Sequence, residues 1–178
     1  MITIRAARRA QTVVTGVLPN ALTRTLESGP TRSLQFERIA TNAKRGSIMV
    51  MTSLTAVFVG AGCGACLRWW LGLALDPIFP TLPFGTLAAN LLGGYLIGVA
   101  MVTCSVKSGL PPEIRLLVIT GLLGGLTTFS TFSAEVVSLL ERAQFGWALV
   151  TASVHLGGSL VLTWAGITTA RWCWRGVI

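Results

Sequence analysis

Along this chain, charge-free apolar runs alternate with short polar breaks. Ser47 to Leu67 carries no charge, and Arg68 ends that run. Pro77 to Val106 is also charge-free; Pro77, Pro80 and Pro83 mark a loop and predict a helix near Phe84 to Cys104. Lys107 to Arg115, with Gly109, Pro111 and Pro112, reads as a turn. The next run starts at Leu116 and predicts a helix continuing to about Leu140, where Glu141 and Arg142 begin another turn. Ala143 to Ala170 is the last run, followed by Arg171 and Arg175. About 20 apolar residues suffice to cross a bilayer as a helix. No stretch alternates like a barrel strand. The pattern predicts an all-α membrane protein of four transmembrane helices in one domain, with both ends on the same side.

The third run differs from the others. Its centre, Gly121 to Glu135, reads GLLGGLTTFSTFSAE. Thr127, Thr128, Ser130, Thr131 and Ser133 are hydroxyl residues, broken only by Phe129 and Phe132, and Gly124 and Gly125 stand just before them. A glycine pair followed by hydroxyls predicts a helix broken mid-membrane. Lipid cannot satisfy the freed N–H and C=O groups, so another helix, water or an ion must do so. The plainer alternative is an intact helix whose hydroxyls bond back to their own carbonyls.

Composition sharpens this picture. Charged residues make up 11% of the 178 and hydrophobic ones 52%, whereas soluble domains average about 25% charged. The net charge of +8 sits mostly in residues 1–48, with eight Lys/Arg against two Glu. That segment lacks the apolar core of a secretory signal and fits a transit peptide, a disordered arm or an untranslated extension, since Met49 and Met51 stand where the first span begins. Its charge does not read as a nucleic-acid surface, because no aromatic or base-reading pattern accompanies it. Outside it, basic residues divide four to two between the two sides, a weak orientation signal.

Few residues could carry chemistry. Thr86 and Asn90 lie four apart on one helix face, where Asn90 either bonds a neighbouring helix or offers its amide to an anion. Thr151, His155 and Ser159 form a polar stripe, either packed or beside a pore. Arg68, followed by Trp69 and Trp70, reads as an interfacial anchor or as a positive charge that gathers anions at a vestibule. Cys63 and Cys66 form a CxxC on a membrane helix without a second pair. There is no metal-ligand cluster, paired carboxylate or nucleophile–base set, so the chain does not read as an enzyme. Glycines recur at four-residue spacing: Gly60 and Gly64, Gly94 and Gly98, Gly121 and Gly125. Such residues let membrane helices approach closely.

The segments GAGCGACLRWW, PFGTLAANLLGGYLIG and GLLGGLTTFSTFSAE resemble the first three helices of the Fluc (CrcB) fluoride channels. The resemblance covers about residues 51–170 and makes 49–178 the channel domain. It implies an antiparallel, dual-topology homodimer in a bacterial inner membrane, passing fluoride passively out of the cytoplasm. It implies a fluoride pathway along Asn90, Thr86, Phe129, Phe132 and Ser159, with Thr151 and His155 at variable positions of the same track. Arg68 is implied near the vestibule. Gly124 and Thr127 are implied to hold a structural Na+ through their backbone carbonyls.

The chemistry is consistent with that implication. Stripping water from a small anion is very costly, so several donors in series are needed. The Asn90 amide and the Thr86, Ser130, Thr131 and Ser159 hydroxyls supply them, with the positive ring edges of Phe129 and Phe132. An alternative is a small four-helix, proton-coupled drug exporter, which needs a membrane-embedded Glu in its first helix; the first span has none. Another is a thiol oxidoreductase using Cys63 and Cys66.

Overall fold

The computed structural model describes residues 30–79, 82–107 and 109–176. Among them nearly all are helical and none is in a strand. The order is α1 (Pro30–Leu75), a 3-10 turn (Asp76–Ile78), α2 (Phe84–Val106), α3 (112–126), α4 (Phe129–Glu141) and α5 (Phe145–Cys173). Within α3, Leu116–Leu123 winds as a π-helix. Four stretches among the described residues are long and apolar enough to cross a membrane: Glu37–Ile78, Phe84–Val106, Pro112–Glu141 and Phe145–Cys173. The fold is all-α with four membrane-spanning segments, as the charge-free runs predict.

The chain divides into two units, Met1–Met49 and Val50–Ile178. The described residues of the first are helical from Pro30. Pro30 at the first helical position and good helix formers such as Glu37, Arg38, Ala40, Ala43 and Lys44 favour that helix. The expectation for residues 1–29 lies outside the described residues.

The second unit holds the spans. α1 does not stop at Arg68 but runs on to Leu75. The expectation of a terminating charge is corrected: Arg68 turns inward, and its Nε donates to the Gly125 carbonyl at 3.2 Å. A charge with a backbone acceptor need not end an apolar helix. The next turn carries Asp76, whose carboxylate accepts from the Gly85 N–H at 2.8 Å. α2 begins after Pro83, which has no capping side chain. Asp76 thus caps α2 from outside it, and such a cap is worth about 1 kcal/mol.

Glycines set the helix spacing. A Cβ at Gly98 would fall on the Thr163 carbonyl oxygen, and one at Gly166 on that of Tyr95. Gly94 faces Ser159 in the same way, so α2 and α5 run parallel in backbone contact. Gly60 and Gly64 on α1 meet Leu117 and Leu122 on α3, and Gly125 meets Ala61. Lipid gives helices no hydrophobic reason to associate, so this close packing must hold them together.

A tight turn joins α4 to α5. Ala143 sits there at φ 56°, and the N–H groups of Ala143 and Gln144 cap the Leu140 and Leu139 carbonyls at 2.9 Å. So short a link makes α4 and α5 antiparallel neighbours.

Candidate functional site

Between α3 and α4 the backbone opens for two residues. Thr127 (φ −80°, ψ 151°) and Thr128 (φ −150°, ψ 118°) are extended. An α-helix pairs each N–H with the carbonyl four residues back. Here the Thr128 N–H goes instead to Asn90 Oδ1 at 2.8 Å. The Thr131 N–H goes to Thr128 Oγ1 at 3.2 Å, which makes Thr128 the N-cap of α4. The helical donors of the Gly124 and Thr127 carbonyls are therefore both diverted. Of the neighbouring carbonyls, Gly125 takes Arg68 and Thr128 takes Asn90 Nδ2 at 3.1 Å.

Asn90 is the clamp. Its amide pairs with both backbone groups of Thr128, as one strand pairs with another. A backbone N–H can only donate, so Asn90 Oδ1 must face it, and the amide orientation is fixed. Nδ2 then points at His155 Nδ1, 3.2 Å away. That nitrogen must accept, and a neutral His155 carries its proton on Nε2.

The rings complete the site. The Phe132 ring stacks on His155, with centroids 4.8 Å apart and 21° between planes. Phe129 meets Phe132 at 5.5 Å and 66°, an edge-on arrangement. One face of Phe132 is thus covered by imidazole. Phe129 is 78% exposed.

An open cavity of about 410 Å³ runs along this break. It brings together Asn90, Phe129, Phe132, His155 and Ser159 with Gly124 and Thr127. The other residues named from the sequence lie off it. Ser130 Oγ and Thr131 Oγ1 both bond to Thr128 Oγ1 at 3.1 Å. Thr151 is buried one helical turn from His155. Thr86 is buried beside a second cavity with Arg68 and Asp76. Asn90, read from sequence as a donor to an anion or to a helix, has its donors on Thr128 and His155. Thr128 itself was missed as a site residue. A threonine just before a resumed helix, with its N–H partner three residues on, is the local signal that could have found it.

A sequence model of the family described as CrcB-like protein, Camphor Resistance (CrcB), matches residues 55–167. A protein of Burkholderia orbicola (strain MC0-3) named "Fluoride-specific ion channel FluC" is 60% identical over 125 residues, covering 70% of this chain and 97% of that protein. A protein of the same name from Nitrosospira multiformis (strain ATCC 25196 / NCIMB 11849 / C 71) is 60% identical over 124 residues, again 70% and 97%. One from Burkholderia cenocepacia (strain HI2424) is 61% identical over 119 residues, 67% and 93%.

Proposed function

Because the chain belongs to the CrcB-like family, we propose that it is a fluoride channel, not an enzyme, that lets fluoride leave the cytoplasm passively. The observation that carries this reading is the break at Thr127 and Thr128, held open by Asn90 beside two phenylalanine rings. The rings offer positive edges and the Ser159 hydroxyl offers a proton along the same route, while the Ser130 and Thr131 hydroxyls bond Thr128 Oγ1. Asn90 acts on the route by fixing the Thr128 backbone. Arg68 neutralises the Gly125 carbonyl at the end of α3, which favours an anion nearby. Thr86 lies beside Arg68 at the second cavity, and serves as an approach.

A single chain leaves this route open on one side. The 78% exposure of Phe129 supports a partner that covers it. The reading is an antiparallel homodimer in the bacterial inner membrane, with residues 49–178 as the channel domain and 1–48 as an extension. The family match, confined to residues 55–167, supports that division.

The Gly124 and Thr127 carbonyls fit a structural Na+. Both have lost their helical donors, and bare carbonyl oxygens are hard ligands suited to such an ion. Bound there, Na+ would supply positive charge that lowers the cost of holding an anion. Protein exchanged into N-methyl-D-glucamine buffer should pass fluoride more slowly than protein kept in Na+. Equal flux in the two buffers counts against the ion.

The function itself is tested in cells deleted for their own fluoride exporter. The expressed chain should restore growth in fluoride medium. Membrane-inserted protein that leaves the cells sensitive would overturn the reading.

A further inference from the structure

Within Val50–Ile178 the two membrane ends differ in charge. Around the end where α2 and α5 begin, Arg68 and Arg142 stand against Asp76 and Glu141. Around the other end, Lys107, Arg115, Arg171 and Arg175 stand against Glu113 alone. α2 and α5 run parallel, so they finish there together, and their ends touch. Lys107 Nζ stands over the Trp174 ring, 5.1 Å from its centre. Trp174 is the C-cap of α5, and Arg171, three residues earlier, shares its face of the helix. Arg175 follows Trp174 directly. All three basic side chains of this cluster, Lys107, Arg171 and Arg175, are exposed.

Cations at helix C-termini often do no more than cap the last carbonyls and answer the helix dipole. Here backbone groups do the capping. The Trp174 N–H donates to the Ala170 carbonyl at 3.0 Å, and the Arg175 N–H to that of Trp172 at 3.3 Å. The Lys107 N–H donates to the Thr103 carbonyl at 3.0 Å. Among the described residues, no hydrogen bond or ion pair engages the side chain of Lys107, Arg171 or Arg175.

We propose that this cluster binds the phosphate of an anionic phospholipid. The Trp174 ring steadies the Lys107 ammonium on one side and leaves its other N–H donors free. Arg171 and Arg175 add planar forks that match phosphate oxygens. Depth selects a lipid over a free anion. The cluster closes the apolar stretch Phe145–Cys173, so it stands where hydrocarbon gives way to headgroups. Trp172, 68% exposed, is a ring of the kind that settles at that boundary. Leu160, Val161 and Trp164 are exposed further down α5 and offer apolar surface to acyl chains. The inference does not rest on which ion the protein carries.

The test is native mass spectrometry of the full chain, released from nanodiscs of equal phosphatidylglycerol and phosphatidylcholine. The wild type should retain phosphatidylglycerol in preference. Lys107→Gln, Arg171→Gln and Arg175→Gln should each lower that preference roughly fivefold. Arg142→Gln, at the opposite end, should leave it unchanged. Equal retention of the two lipids by the wild type overturns the proposal. So does a preference that survives all three changes together, or one that falls as far in Arg142→Gln. Displacement of the lipid by millimolar inorganic phosphate also overturns it, since the cluster is then a site for a free anion.

Discussion

Asn90→Ala is expected to slow fluoride efflux by roughly 30-fold to 10⁴-fold, if each Thr128 backbone group left unpaired costs about 1–3 kcal/mol. Alanine returns neither hydrogen bond. The opened backbone then closes towards helix or wanders, and the rings that line it move with it. His155 loses its partner at the same time. Asn90→Asp should be nearly as severe, because its added acceptor faces the Thr128 carbonyl and His155 Nδ1. The measurement is efflux from liposomes with a fluoride electrode, on variants that elute like the wild type. An alanine variant within threefold of the wild type would show that the clamp does not govern the route.

Gly98→Val should remove the folded protein altogether. Its Cβ would fall on the backbone oxygen of Thr163, and the Thr163 carbonyl cannot swing aside as a side chain can. α2 and α5 would have to separate, which strips the contacts that hold Asn90 against His155. Overpacking in a core costs about 1–3 kcal/mol when neighbours can adjust, and more when a backbone is struck. Gly157→Ala is the control, since nothing lies within 4 Å of a Cβ there. Gel filtration in mild detergent should give aggregate for Gly98→Val and a wild-type peak for Gly157→Ala. A normal peak for both would mean that the α2–α5 packing is looser than described.

Much of this was legible because the bilayer imposes simple rules. The spans follow from where charge is absent. The interruption at Thr127 and Thr128 follows a glycine pair and a hydroxyl run, local features with local causes. The partners of that interruption were not legible. Nothing near Asn90 in the chain points to Thr128, because α2 and α4 meet only through tertiary packing. Arg68 misled for a related reason: a charge reads as the end of an apolar run, and its acceptor at Gly125 lies 57 residues away. His155 was visible as a lone polar residue, but its proton position depends on the orientation of Asn90. The helical start at Pro30 did have a local signal, a proline at the first helical position, masked by the basic composition around it.

The most direct test is transport by the pure wild-type chain in liposomes loaded with equal potassium fluoride and potassium chloride, with valinomycin carrying the counter-charge. Rapid loss of fluoride with chloride retained is the predicted result. Fluoride retained, or both halides released together, would contradict the idea that this clamped opening passes fluoride selectively.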